Sequence, residues 1–232
     1  MERRNFVAAK TQGMKRLPKR LTRTASNAPL SNLGEYSSSG WNRRRLRTDH
    51  FDLYQFHAVT TMDDVQKILA PGGAAETFQR AKAEGKARYL GASAHSMQAA
   101  IALMDAFPLD SILFPVNFAL YAVQDFGPEA LAYAKKKGVA RLALKALSRQ
   151  ALEGSERKHP KCWYEPVTER SLAERALRFT LSEDVTSAIP PGVAELFEMS
   201  VEIAANFAPL SPAERQSLLA EAKGLRPIFR RG

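Results

Sequence analysis

An α/β fold built on a parallel sheet is predicted by three features of the sequence. From residue 50 onward, short β-rich runs alternate with segments of helical period, which is how βαβ units read in sequence. The 232 residues, 45% of them hydrophobic and 25% charged, suffice for one substantial core or two small ones and exclude a wholly disordered or collagenous chain. No G-x-G-x-x-G follows the first strand, and Gly72-Gly73 precedes a helix without the Lys-Ser/Thr of a P-loop, so the two commonest phosphate motifs of open doubly wound sheets are absent. Periodicity alone does not separate an open sheet from a barrel, but the missing motifs tip the balance toward a (β/α)8 barrel of TIM type.

The elements follow in order. Residues 52–56 (DLYQF) read as a strand, followed by a helix from about Ala74 to Glu84. Residues 88–92 (RYLGA) read as the next strand, and Ala100, Leu103, Met104 and Phe107 keep the i, i+3, i+4, i+7 spacing of a helix face. Residues 111–114 form a strand, Pro128 to Lys137 a helix closed by Gly138, and Val139 to Ala146 a strand that opens into a loop reaching about Glu169. Leu172, Ala176 and Phe179 mark another helix. Val185 to Ile189 is the last strand, stopped by Pro190-Pro191-Gly192, and Phe197, Val201, Ala204 and Ala208 are the expected inner face of the helix after it. Ser211-Pro212-Ala213-Glu214 opens a terminal helix with an N-cap, Pro at N1 and Glu at N3.

Charge divides the chain. Residues 1–49 carry 12 basic and 3 acidic side chains, whereas residues 50–232 carry 22 and 21, so nearly all of the net +10 sits at the front. Residues 11–45 are rich in Thr, Ser, Asn, Gly, Pro, Lys and Arg without an apolar repeat, and are expected to be irregular. A by-product of truncation, a tail for an acidic partner and nucleic-acid contact through Arg43-Arg44-Arg45 are its three readings, in that order. Nucleic acid is not the expected partner, because only Tyr36 and Trp41 are interleaved as stacking aromatics. Cys162 is the sole cysteine, which excludes an internal disulfide, a Cys-based zinc site and an iron–sulfur cluster supplied by this chain. No membrane-length apolar run and no signal-peptide core are found, so a cytoplasmic protein without membrane contact is expected.

The segment 46–57 (LRTDHFDLYQFH) resembles the part of aldo/keto reductases that runs from the third helix into the fourth barrel strand. Residues 85–93 (GKARYLGAS) resemble that family's fifth strand, residues 188–192 (AIPPG) the turn after its eighth, and residues 6–11 (FVAAKT) its third strand with the catalytic lysine. The resemblance implies an incomplete (β/α)8 barrel, strands three to eight. Residues 1–45 would be a third-strand remnant plus an irregular basic segment, and residues 46–232 the barrel portion with its C-terminal helix. It also implies NADPH- or NADH-dependent reduction of a small-molecule carbonyl by a tetrad of Asp, Tyr, Lys and His. Hydride passes to the carbonyl carbon while a phenol, whose ordinary pKa is about 10, protonates the oxygen with the help of a nearby ammonium and carboxylate.

Lys10 and His57 match the lysine and histidine of that tetrad. Strand alternation puts Leu53, Gln55 and His57 on one face, expected to point into the barrel, and His57 at the strand's C-terminal end. By the same resemblance Ser93 holds the nicotinamide carboxamide, with Ala94 in place of the amide side chain many members carry there. Asn117 is either a cofactor contact or a turn-capping amide, while Ile189, Gly192 and Glu195 fall where the family wraps the adenine side of the cofactor. No Lys or Arg immediately follows Gly192, which leaves NADP and NAD both open.

No residue ahead of Lys10 matches the tetrad's Asp and Tyr, and Asp52 and Tyr54 alternate away from His57 toward the surrounding helices. The expectation is therefore a chain lacking the first two strands, with impaired carbonyl reduction. The alternative is a non-catalytic pseudoenzyme or interaction protein that self-associates through open strand edges. His95 and Ser96 are expected in a surface loop, and Lys161-Cys162-Trp163-Tyr164 are read as loop packing rather than a substrate lid.

Overall fold

The structure, a computed structural model, describes residues 8–9 (backbone only), 46–124, 126–154 and 157–229; Lys10 and the basic segment 11–45 lie outside the described residues. In chain order the strands are β1 (Ala8–Ala9), β2 (Phe51–Val59), β3 (Ala87–Ala94), β4 (Ser111–Pro115), β5 (Ala140–Leu144), β6 (Ser148–Ala151), β7 (Tyr164–Pro166) and β8 (Ser187–Ile189). The helices are α1 (Met62–Leu69), α2 (Ala74–Ala83), α3 (Met97–Ala106), α4 (Phe118–Gln124), α5 (Pro128–Lys136), α6 (Arg170–Ser182), α7 (Ala194–Ala205) and α8 (Pro212–Glu221). The chain divides into two compact units, one of residues 16–113 and 133–140, the other of residues 1–15, 114–132 and 141–232.

In the first unit β2, β3 and β4 run parallel, with Gln55 opposite Gly91 and Gly91 opposite Ser111. Parallel strands need helical crossovers, and α2 and α3 supply them. The even-numbered side chains of β2 face those helices: Phe56, 1% exposed, lies 3.9 Å from the Phe78 ring of α2 and meets Phe107 edge-on at 5.2 Å. Tyr54 stacks on Phe78 at 4.4 Å, and Asp52 pairs with Arg88 at 2.7 Å, so both residues serve the helix side of the sheet as their alternation predicts. The Asp110 carboxylate joins elements by accepting from the Leu90 N–H and the Lys82 ammonium, each at 2.7 Å. Helix α1 has no counterpart in the sequence-based reading; a capping box between Thr61 and Asp64 starts it, and it buries only Val65 and Ile68.

In the second unit β5 and β8 are parallel, Leu142 opposite Ser187 and Leu144 opposite Ile189. The expected third-strand segment is described only at Ala8–Ala9, whose backbone runs antiparallel to β8, whereas every strand of a (β/α)8 barrel runs parallel to its neighbours. The loop expected from residue 147 to 169 instead contains the antiparallel pair β6–β7, in which Glu165 accepts from Arg149 at 2.6 Å and from Gln150 at 2.7 Å. Those polar cross-strand partners replace the apolar alternation that marks a strand in sequence. Phe118, Leu147, Leu177, Phe179, Ile203 and Leu218 centre the core of this unit.

The inner face of α7 is one residue earlier in phase than the spacing suggested. Leu196, Ser200 and Ile203 are buried, while Val201 is 41% exposed. Ser200 can take that place because its hydroxyl donates to the Leu196 carbonyl at 2.6 Å, which removes the penalty of burying it. Helix α8 begins as its sequence predicts, with Ser211 and Glu214 in a capping box and Pro212 at N1. Among the described residues no helix is long and apolar enough to cross a membrane.

Candidate active site

Strand β2 ends in an irregularity that sets the first half of the site. Phe56 pairs with Ala92 and Val59 with Ala94, so His57 and Ala58 together oppose Ser93, which is a β-bulge. Ala58 takes a left-handed φ of 54°. Its N–H is turned toward β3 and donates to the Ser93 Oγ at 2.8 Å. Ser93 is 4% exposed, and since its oxygen is accepting, its own hydroxyl hydrogen is left to donate to a ligand. His57 is exposed, with no hydrogen-bond partner among the described residues.

His57 and Ser93 are thus brought together, as adjacent residues across one bulge near the C-terminal ends of neighbouring parallel strands. Strict alternation would have ended β2 at His57. The bulge carries the strand on to Val59, and the His95 N–H seals it by donating to the Val59 carbonyl at 3.1 Å. His95 and Ser96 lie half-buried in the connection between β3 and α3, and the Ser96 hydroxyl caps α3 by accepting from the Ala99 N–H at 3.3 Å. Ala94 is fully buried.

Below the bulge the same sheet face carries two buried polar atoms without partners among the described residues, Gln55 Nε2 and Ser111 Oγ. They flank Gly91, where a Cβ would come within 2.4 Å of Ser111 Oγ and 3.1 Å of Gln55 Cγ. Glycine is needed there because β3 passes between two polar side chains with no room for a third.

The second unit holds the remaining described candidates. Asn117, 1% exposed, follows β4; its amide N–H donates to the Lys145 carbonyl at 3.1 Å and its Oδ1 accepts the Leu120 N–H at 2.9 Å. The side chain therefore works as the capping amide of α4 and as a tie to the end of β5. Ile189 ends β8 half-buried, and Gly192 is exposed ahead of α7. A Cβ at Gly192 would meet nothing nearer than Lys161 Cδ at 4.0 Å. Glu195 is exposed in the first turn of α7, a helix whose N-terminus carries no side-chain cap. Within its own unit, the uncapped N–H groups of α7 beside an open glycine can receive an oxyanion, and within the other the Ser93 hydroxyl can donate to a carbonyl oxygen.

Lys145 was not singled out by sequence reasoning. It follows β5 with a left-handed φ of 68°, and its carbonyl accepts from the Ser148 N–H at 2.9 Å as well as from Asn117. Its Nζ lies 4.8 Å from the centre of the Trp163 ring and 4.6 Å from that of Tyr164. Burial pulls the ammonium below the usual lysine range, and the same burial pushes the Cys162 thiol and the Tyr164 phenol up; these two share a hydrogen bond. The signal in the sequence was a single cation inside the apolar run 142–147 (LALKAL) at a strand's end. Cys162, Trp163 and Tyr164, read as loop packing, are the walls around it.

Comparison with known proteins gives one answer. The family model described as "Aldo/keto reductase family" matches residues 41–218. Among solved structures the chain is similar to the aldo-keto reductase AKR11C1 from Bacillus halodurans in its holo form, at 24% identity and a TM-score of 0.57, over 83% of this chain and 66% of that one. It is similar to an aldo-keto reductase from Klebsiella pneumoniae in complex with NADPH, at 17% identity and a TM-score of 0.59, over 85% of this chain and 67% of that one. It is also similar to the glycerol dehydrogenase AKR11B4 from Gluconobacter oxydans, at 22% identity and a TM-score of 0.54, over 83% and 65%. At these identities the structural likeness shows the fold, that of the (β/α)8 barrel. No curated protein matches the sequence. With a family match that spans most of its length, the chain belongs to the aldo/keto reductase family.

Proposed function

We propose that this chain binds a nicotinamide dinucleotide, NADP(H) or NAD(H), together with a small carbonyl compound, and supports reductase-type chemistry at low turnover. The observation that carries this reading is the bulge that sets His57 beside Ser93 near the C-terminal ends of two parallel strands, the end of the sheet where barrel enzymes place reacting groups. Each taken within its own unit, Ser93 would hold a carboxamide through its hydroxyl hydrogen, and the uncapped start of α7 with Gly192 would take a phosphate oxygen. Ile189 and Glu195 would border the adenine, and Asn117 would support the site through its backbone ties. When bound, the dinucleotide supplies hydride. His57 would orient the carbonyl oxygen, with Lys10 as the partner cation of the family's tetrad.

The low turnover rests on reading the tetrad's phenol and carboxylate as not supplied by these residues, since general acid catalysis is worth about 10²- to 10⁴-fold in rate. The test is titration of the purified chain with NADPH and with NADH, followed by nicotinamide fluorescence, then by aldehyde turnover. Saturable binding with a turnover far below the ordinary range of about 1–10³ s⁻¹ is expected. Absence of binding to either dinucleotide refutes the reading.

A second reading, a non-catalytic interaction protein, is favoured by one observation. Strand β2 pairs with β3 on one side, and among the described residues no strand pairs with its other edge. A nine-residue open edge is a template for strand addition by a second copy. Size-exclusion chromatography across a concentration series tests it: dimers or larger species without dinucleotide binding support this reading over the first.

A further inference from the structure

We propose that the ε-amine of Lys145, set between Trp163 and Tyr164 at the end of β5, is a site where a small aldehyde condenses to an imine. This does not rest on the dinucleotide reading above.

The position is built rather than incidental. A left-handed φ at a residue with a side chain costs roughly 1–2 kcal/mol, and here it is held by two hydrogen bonds to the same carbonyl, from Ser148 N–H and Asn117 Nδ2. The lysine so placed sends its amine over two rings. Some other lysines end against carboxylates, among them Lys67 on Asp63 at 2.6 Å and Lys82 on Asp110 and Lys137 on Asp105, both at 2.7 Å. Lys145 has no ion-pair partner among the described residues. The titratable groups that face it are the Cys162 thiol and the Tyr164 phenol, and burial keeps both in their neutral forms at pH 7.

An ammonium withdrawn from water with no anion opposite it shifts toward the free amine, which is the nucleophilic form. The rings return some of that loss through cation–π attraction, about 0.5–2 kcal/mol, but burial dominates and the net shift is downward. The walls also select the ligand. Trp163 is 42% exposed and packs edge-on against Tyr164 at 5.6 Å and Phe229 at 5.7 Å, which leaves an apolar surface beside the amine for the body of an uncharged carbonyl compound.

The step balances without an oxidant or reductant. The nitrogen lone pair attacks the carbonyl carbon and the C=O electron pair moves onto oxygen. Solvent delivers a proton to that oxygen and takes one from nitrogen, giving the carbinolamine. A second proton reaches the hydroxyl, water leaves as the nitrogen lone pair forms the C=N bond, and the nitrogen releases its remaining proton to solvent.

The test uses the full chain with benzaldehyde and sodium cyanoborohydride, which reduces an imine to a stable secondary amine, followed by peptide mass mapping. At pH 7 Lys145 is expected to be labelled about tenfold faster than the exposed Lys67, and the labelling rate of Lys145 to reach half its maximum at a lower pH than that of Lys67. Lys145→Gln removes the dominant label, and Trp163→Ala slows labelling while far-ultraviolet circular dichroism stays unchanged. Labelling that simply follows exposure, with Lys67 ahead of Lys145, overturns the proposal, as does protection by chloride or phosphate in place of reaction. No nicotinamide is present in the assay, so this result and the dinucleotide titration fail independently.

Discussion

Just before the end of β2, Ala58 takes φ 54°, and just past β5, Lys145 takes φ 68°; both are residues with side chains in a backbone region that glycine normally occupies. Each is pinned by a polar side chain from another strand's end, Ser93 Oγ on the Ala58 N–H and Asn117 Nδ2 on the Lys145 carbonyl. The two places use the same device in opposite directions. At β2 the bulge leaves the neighbouring His57 in solvent, where an imidazole can meet a ligand freely. At β5 the turn draws an ammonium between two rings and away from carboxylates. The difference is that the left-handed backbone leaves an imidazole in solvent at one strand end and a half-buried ammonium beside two rings at the other.

The largest expected effect tests what backs the β2 end. Phe56→Ala removes a ring that is 1% exposed and packed on both Phe78 and Phe107, and should destabilise the first unit by about 3–5 kcal/mol, read from urea unfolding. Next in size, Ser93→Ala strips the acceptor from the Ala58 N–H; a loss of about 1–3 kcal/mol is expected, with weaker NADPH fluorescence titration. A Ser93→Ala chain that binds NADPH as tightly as the parent would show that the bulge alone, not the hydroxyl, builds that half of the site.

The matching change at the other end, Asn117→Ala, removes both the cap of α4 and a tie on Lys145. About 1 kcal/mol of stability should be lost, and labelling of Lys145 by benzaldehyde should fall, which separates positioning from plain destabilisation. Ala58→Gly relieves the left-handed strain but adds chain entropy to the unfolded state; the net gain should be below about 1 kcal/mol by thermal melting. The smallest effect is electrostatic. The Ser211 N–H and hydroxyl and the Arg178 guanidinium hold the Glu214 carboxyl down at about 2, against its ordinary 4.5. Because the folded value is the lower one, this stabilisation of the start of α8 is fully present above pH 4.5 and is lost as pH falls through about 2. A carboxyl titration by nuclear magnetic resonance with a midpoint for Glu214 near 4.5 would show that the capping box does not persist in solution.

Most elements were legible because their residues announce themselves within one turn or one strand. The Ser211–Glu214 box, the Gly138 stop, with φ 71°, and the apolar strand cores at residues 52–56, 88–92 and 111–114 needed no tertiary information. The pair β6–β7 was not legible, since its register is held by Arg149, Gln150 and Glu165, side chains that look like loop residues until they are paired. The face of α7 was misread by one position because Ser200 reads as solvent-facing until its hydroxyl finds the Leu196 carbonyl. Of the candidate site, His57 and Ser93 could be named from motif matches, and their adjacency across a bulge could not.

The sequence by itself determined the alternation of strands and helices, the caps, the family and most of the candidate residues, because these depend on short-range periodicity and on motifs a few residues long. Only the tertiary structure decided which strand ends bend, that Ser93 and Asn117 hold those bends, and that Lys145 stands beside two rings with no carboxylate partner among the described residues. Those outcomes depend on groups 18 to 35 residues apart in the chain, and a desolvated charge or a satisfied hydrogen bond exists only once such groups have been packed together.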